Sequence, residues 1–526
     1  MRLAWFSPMP PAASGIATCS AELVAGLSAE HQIDVFVDEP AARTTVHGTG
    51  TLHSAHEFLS RHRARPYDLT VYQLGNSSHH DYLWPYLFRY PGLVVLHDPH
   101  LHHARAAALL RTNRPDDYRA EFAASHPDAA PDLGELAVAG FDNHIYYACP
   151  MNRLVIQASR MTAVHAAPGA AALTADIPGA YVRHIHLGHG ELLSDAQVAA
   201  LRTKLRRERR ITEEAVVFGV FGALTPEKRV PQVLDAFEAL LPYSRDAHLI
   251  LAGAPALYYD VAADVEKRRL GPHVTITGYL ESETLLTECI AACDVALSLR
   301  WPTAREISGP WLRALAAGRP TIIMDLEHLA DVPSLDPRTW RLNAAGIGDS
   351  SLGTRGSGVA LRASPREDPF TDPERLIPNP GSRIPNPKPP AYAAERLRRG
   401  LAVAPPECTG SGGGQIPDPV TVAIDVMDEA HSLRLAMRRL AADPALRAAL
   451  GSAGRAYWRR EHSRARMLED YRAALAAAAA LPVPDPALPR HLVNDGDGRL
   501  ATLLGGFGVT VPFRRSGRDM AIADAL

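Results

Sequence analysis

Ser298-Leu-Arg-Trp-Pro-Thr-Ala-Arg-Glu-Ile-Ser-Gly-Pro-Trp-Leu-Arg-Ala-Leu-Ala-Ala-Gly-Arg-Pro-Thr-Ile-Ile-Met-Asp325 is the stretch whose reading decides the fold. An apolar strand, Val295 to Leu299, runs into a turn holding Glu306, Ser308 and Gly309. A helix with Trp311, Leu312 and Leu315 follows, and Gly318 and Pro320 end it before a second apolar strand. This is a βαβ unit with its polar residues at the carboxyl end of the first strand. Open α/β sheets bind ligands at that edge, and the free N–H groups of a helix start suit an anion such as a diphosphate. The pattern points to a nucleotide-linked ligand.

Outward from there, strands and helices alternate. Leu3 to Phe6 reads as a buried strand and Ser7 to Gly15 as the loop after it, and Ile16, Cys19, Leu23 and Leu27 recur at helical spacing. Strands are expected at Ile33 to Val37, Leu69 to Gln73, Leu93 to Leu96, Met161 to Val164 and Val182 to His186. A second series comprises Val216 to Phe221, His248 to Ala252, Val274 to Thr277, Val295 to Leu299 and Thr321 to Met324. Such alternation predicts parallel, doubly wound sheets, hence an α/β chain of two Rossmann-like domains facing across a cleft. The expected boundaries are a first domain at 1–190, a linker at 191–215, a second domain at 216–480 and a tail at 481–526. Within the second domain, 344–419 is rich in Pro and Gly and is expected to be a disordered insertion. Val420 to Ile424 resumes a strand, and helices at 429–440, 444–453 and 463–479 close the domain.

Several residues invite a chemical reading beside a structural one. Gly15 at a helix start lets backbone approach a phosphate without a Cβ in the way, or is simply a turn glycine. Lys228, downstream of Gly222 after a buried strand, is either a surface charge or a phosphate ligand. The run His97-Asp-Pro-His-Leu-His-His103 could ligate a metal, but its spacing fits no hydrolase motif and consecutive loop side chains point apart. His97 and Asp98, at a strand end, are read as substrate contacts or as structural polar residues. Cys289 and Cys293, four apart, share a helix face and read as core, with redox or metal chemistry as the alternative.

The central stretch resembles the donor-binding motif of retaining glycosyltransferases with the GT-B fold, the large family that includes sucrose synthase and bacterial mannosyltransferases. That motif reads Glu, seven residues, Glu, then an Ala-rich helix and Gly-any-Pro. Glu306, Gly309 and Ala316-Ala-Gly-Arg-Pro320 fit it, whereas the second Glu is replaced by Ala314 counting forward or Arg313 counting back. Lys228 matches the Lys of the family's diphosphate-binding loop, and Ala223 stands where its Arg would be. Val71-Tyr-Gln-Leu-Gly-Asn-Ser-Ser-His-His80 and Tyr86 to Asp98 look like the acceptor-side half, and Tyr457-Trp-Arg-Arg-Glu-His-Ser463 resembles the crossing back to the first domain.

The resemblance implies transfer of a sugar from a nucleotide-diphosphate sugar to a hydroxyl of a glycan, lipid or small-molecule acceptor, with retention and with no metal or other cofactor. Gly15, Gly222, Lys228, Ser308 and Gly309 would bind the donor, Glu306 would hold its sugar, and His97 or Asp98 would face the reacting sugar. The alternatives are a catalytically inactive GT-B protein that binds a nucleotide sugar or glycan, and an epimerase or phosphorylase on the same fold.

Composition agrees with a globular chain: 526 residues with 46% hydrophobic residues supply core for two domains, and a net charge of −3 gives no general attraction to nucleic acid. Five scattered cysteines read as reduced thiols of a cytoplasmic protein. The amino-terminal residues lack the apolar core of a secretory signal, and no run reaches the ~18 apolar residues of a membrane span. The basic run Arg202-Thr-Lys-Leu-Arg-Arg-Glu-Arg-Arg210 is expected to be a solvated linker helix, with weak association to anionic lipid as the other reading. Asp495-Gly-Asp497 reads as a turn.

Overall fold

The computed structural model describes residues 1–12, 14–38, 51–130, 132–141, 144–343 and 418–493. The expected insertion lies outside these residues except for Asp418 and Pro419, as do Cys408 and the Asp495-Gly-Asp497 turn.

Two sheets of seven parallel strands form the frame, each ordered with later strands flanking a central early one. The first contains β1 (Arg2–Phe6), β2 (Gln32–Val37), β3 (Thr51–Ser54), β4 (Leu69–Leu74), β5 (Leu93–Leu96), β6 (Met161–Val164) and β7 (Val182–His184), in the order 3-2-1-4-5-6-7. The second contains β8 (Val217–Phe221), β9 (His248–Ala252), β10 (Val274–Ile276), β11 (Val295–Ser298), β12 (Thr321–Met324), β13 (Ser334–Leu335) and β14 (Thr421–Ile424), in the order 10-9-8-11-12-14-13. The edge strand β3 and the short β13 were not expected; each finds its register only beside a partner strand.

The central strands read as continuous apolar runs because helices cover both faces. In β1, Leu3 and Trp5 face one layer, and Ala4 and Phe6 face the other, where Phe6 stacks on Phe36 and Tyr72. In the second sheet Phe218 and Val220 pack on the helices Val230–Leu240 and Glu429–Ala442, and Val217 and Phe221 on the opposite layer.

The closing helices join the two halves. The helix Pro444–Glu461 contains Tyr457 to Glu461, and Trp458 Nε1 donates to the His189 carbonyl at 2.8 Å. The helix Arg464–Ala480 then packs on the first sheet: Tyr471 stacks on Trp5 at 6.0 Å, and its hydroxyl donates to Gln73 Oε1 at 3.1 Å. Trp5, Trp311, Leu315, Trp458 and Tyr471 belong to one apolar cluster, so one core spans both sheets. Each large side chain buried there is worth about 1.5–3 kcal/mol relative to exposure.

The basic run is only in part the solvated helix expected: Lys204, Arg207, Arg209 and Arg210 are exposed, but Arg206 is not. Its residues up to Glu208 lie in the helix Asp195–Glu208, where Arg206 is fully buried. Arg206 donates to the carbonyls of Ala292, Thr212, Glu213 and Ala215 and to Asp294 Oδ2 at 2.7 Å, while Arg202 pairs with Asp294 and Lys204 with Glu288. These cations are spent on the protein, and Leu205 supplies the apolar contact. Among the described residues, no helix is long and apolar enough to cross a membrane. Cys289 and Cys293 are buried core residues, the Cys293 thiol donating to the Cys289 carbonyl at 3.2 Å.

Candidate functional site

The turn that opened the sequence reading folds into a cavity of about 50 Å³ at the carboxyl ends of β8, β11 and β12. Lys228, Arg300, Thr303, Glu306, Ser308 and His328 line it. Backbone geometry brings the lysine in. Gly222 has φ +86°, a conformation that favours glycine, and a Cβ there would press on Lys228 Nζ and shift the ammonium, which donates to the Phe221 carbonyl at 2.6 Å. Burial, then the Arg300 cation, pull Lys228 down to about 7, with Glu306 opposing them.

Glu306 is held from two sides. Thr303 Oγ1 donates to Glu306 Oε2 at 3.0 Å, and Arg300 Nε lies 2.6 Å from Oε1. Ser308 caps the helix Gly309–Ala316 by accepting from Trp311 N at 3.4 Å, and receives the Ser298 hydroxyl at 3.1 Å. Gly309 packs under His189: a Cβ there would meet the His189 ring at 2.9 Å.

The first sheet contributes Asp98 at the end of β5. Asp98 Oδ2 accepts from Asn76 N at 2.7 Å; burial, then the Glu306 carboxylate, push its pKa up to about 6, against Asn76 and Arg300. Two carboxylates from different sheets therefore sense one another. Gly15 begins the helix Gly15–Leu27 after β1, and a Cβ there would touch nothing, so its hydrogen faces open space.

His97 needs a correction. Its Nε2 lies 2.7 Å from Gln73 Oε1 and its Nδ1 3.2 Å from His165 Nε2, both partners being buried. Neither nitrogen is free to face a sugar, and burial, reinforced by His165, His80 and His189, holds the ring well below the usual histidine range, hence neutral. The ring anchors the strand end from which Asp98 projects. The other histidines of that run diverge: His102 bonds to the Cys149 carbonyl and Tyr118, whereas His100 lies elsewhere. Among the described residues, no three His, Cys, Asp or Glu side chains gather to hold a metal.

The departures from the family motif also have places. Ala223 is exposed and offers no charge, but Arg300, directly after β11, brings a second cation to Lys228. Ala314 is buried in core, and Arg313 turns away to pair with Glu283 at 2.9 Å. Sequence reasoning missed Arg300 and His328, although Arg300 lies in the opening stretch, at the strand end where ligand groups collect.

A larger cavity of about 620 Å³ opens between the carboxyl ends of β5 and β6 and the loops carrying Arg305 and His328. His328 lines both cavities. His100 N donates to the Ala304 carbonyl at 3.2 Å, tying the two halves together beside it.

Paired parallel sheets with this cleft define a two-domain α/β protein of the GT-B type, and residues 215–338 match the family described as glycosyl transferases group 1. That segment is similar to a glycosyl transferases group 1 domain, and the fold around it is of the GT-B type. Among similar solved structures is sucrose-phosphate synthase from Thermosynechococcus elongatus, 13% identical with a TM-score of 0.53, covering 91% of this chain and 100% of that one. Anabaena HepE in complex with UDP and glucose is 13% identical at a TM-score of 0.52, covering 91% and 100%. WaaG, a glycosyltransferase involved in lipopolysaccharide biosynthesis, is 12% identical at 0.51, covering 90% and 98%. At such identities the likeness is one of fold. No curated protein is significantly similar in sequence.

Proposed function

We propose that the chain transfers a sugar from a nucleotide-diphosphate sugar to an acceptor hydroxyl, with retention and without a metal. The second sheet binds the donor and the first the acceptor. The observation that carries this is the convergence of Lys228, Arg300 and Glu306 at the edge of β8 and β11, with Asp98 opposite.

Glycosyl transfer asks side chains chiefly to position the partners and to neutralise the leaving diphosphate. Lys228 and Arg300 meet that charge, and Arg300 takes the place of the cation that Ala223 lacks. The helix start at Ser308 and Gly309, together with Gly15 across the cleft, offers backbone to the phosphates. Glu306 accepts from the donor sugar's hydroxyls, Asp98 faces the reacting sugar, and His97 positions Asp98. Because HepE is seen with UDP, a UDP-sugar is the first donor to test.

A binding protein without turnover is the second reading, favoured by the absence of a carboxylate at both Arg313 and Ala314. Incubating the protein with nucleotide sugars, with and without a chelator, decides between them. Slow release of nucleoside diphosphate that survives chelation is expected. Release abolished by the chelator and restored by manganese or magnesium refutes metal independence; no release from any donor that binds supports the second reading.

A further inference from the structure

A row of buried polar groups crosses the carboxyl ends of four neighbouring strands in the first sheet. Gln73 lies near the end of β4, and His97, His165 and Ile185 directly follow β5, β6 and β7. Tyr471, on the helix Arg464–Ala480, meets the row at Gln73. Gln73 and Tyr471 are fully buried, and both histidines nearly so.

The protons of this row can be counted. The Ile185 carbonyl only accepts, so His165 donates to it through Nδ1 at 3.2 Å. Burial pulls His165 down to about 4 and His97 well below the usual histidine range, so both rings are neutral and each carries one proton. His165 Nε2 is then a lone pair that takes the Nδ1 proton of His97 at 3.2 Å. His97 Nε2 is left bare, 2.7 Å from the side-chain amide of Gln73. With the amide carbonyl turned to His97, lone pair faces lone pair and the Gln73 NH2 has no partner at all. A half-turn of the amide brings NH2 to His97 and to the Tyr471 hydroxyl, which accepts as readily as it donates.

That bond bears on the site because side chains pin the ends of β4 and β5 to each other twice. One link joins Gln73 to His97; the other, one residue further along β5, runs from Asn76 N to Asp98 Oδ2 at 2.7 Å. Gly75 lets the loop close in, since a Cβ there would stand 3.1 Å from the same carboxylate oxygen. The Gln73 backbone carbonyl in turn accepts from His80 Nδ1 at 3.0 Å, which fixes the strand that leads to Asn76. Resting on the transferase reading above, we propose that Gln73 is a positioning residue for Asp98: its side-chain amide, anchored by Tyr471, donates to His97 and holds the strand end that carries the carboxylate. Seating of the helix Arg464–Ala480 is then a condition for transfer but not for donor binding, whose charged groups Lys228, Arg300 and Glu306 lie on the second sheet.

The first test reads the histidine ring nitrogens of the full, unaltered chain by nitrogen-15 NMR at pH 7, without ligand. His97 and His165 are expected as neutral rings with the proton on Nδ1; a His97 ring protonated on Nε2 would overturn the proposal, and no variant has to fold for that result. The second test compares turnover of a UDP-sugar with its calorimetric affinity. Tyr471→Phe keeps the ring that stacks on Trp5 and removes only the hydroxyl, so turnover should fall about fivefold, the loss of one ordinary hydrogen bond, with donor affinity unchanged. Gln73→Met, which removes both bonds of the amide, should lower turnover further with the same split. Donor affinity falling in step with turnover, or turnover that neither variant moves, would overturn the proposal. An unaltered protein that binds donors, shows the expected ring protons and never turns over would count against the transferase reading alone, and an active transferase indifferent to both variants against this inference alone.

Discussion

Lys228 links donor binding to pH in a way that can be worked through. Its pKa falls from 10.5 to about 7, chiefly by burial, so the free protein carries a half-charged lysine near neutrality. One anionic charge about 4 Å away contributes roughly 4 kcal/mol at an effective dielectric of 20, about three pH units, so a bound diphosphate restores full protonation. Donor binding therefore takes up a proton above pH 7. With a free pKa near 7 and a bound pKa near 10, affinity should fall about 100-fold between pH 6 and pH 9.

A bare nucleoside diphosphate titrates near pH 6 itself, unlike the doubly esterified diphosphate of a nucleotide sugar, so Lys228→Met is the reference, and the wild-type slope should exceed the variant's by nearly one log unit per pH unit above pH 7.5. Calorimetry in two buffers of different ionisation enthalpy reads the proton directly. Stability responds in the opposite sense. Because the folded pKa lies below the unfolded one, the unfolded chain binds more protons between pH 7 and 10.5, so this group's penalty is full below pH 7 and fades as pH rises through that window. Its upper bound is about 5 kcal/mol at 1.36 kcal/mol per pH unit. Lys228→Met should therefore raise Tm more at pH 6 than at pH 9.5, while lowering turnover by roughly two to three orders of magnitude. Equal pH slopes for the two proteins, with no proton uptake, would refute the reasoning.

Glu306→Gln should weaken a nucleotide sugar by about 1.5–3 kcal/mol while sparing the bare nucleoside diphosphate, a split that paired titrations measure; equal losses would remove Glu306 from the sugar. Gly222→Ala should cost about 1–3 kcal/mol in chemical denaturation from its positive φ, and nucleotide affinity should fall with it, because the new methyl displaces the Lys228 ammonium. Arg206→Leu should destabilise by about 3–5 kcal/mol in urea titration, since Asp294 loses a buried partner, although Arg202 keeps a second contact with it. Deleting residues 350–415, which lack apolar periodicity, should leave Tm and nucleotide affinity nearly unchanged; a large fall in either would show that the segment packs.

What the sequence by itself determined is whatever depends on neighbours along the chain. Apolar runs such as Leu3 to Phe6 and Val295 to Leu299 are buried on both faces wherever a parallel sheet forms, so their alternation with helical periods already implied two doubly wound sheets. Glycines and polar residues at strand ends likewise announced Gly222, Lys228 and Glu306, because a βαβ unit sends its strand-end loops to the ligand edge. Tertiary structure alone decided which groups meet there. It turned His97 inward to Gln73 and His165, brought the Arg300 cation near Lys228, buried Arg206 among carbonyls and set His328 between two cavities. Each outcome depends on contacts between segments far apart in sequence, whose partners no local pattern of charge or hydrophobicity encodes; a side chain's role at such a place is set by what the folded chain carries up against it.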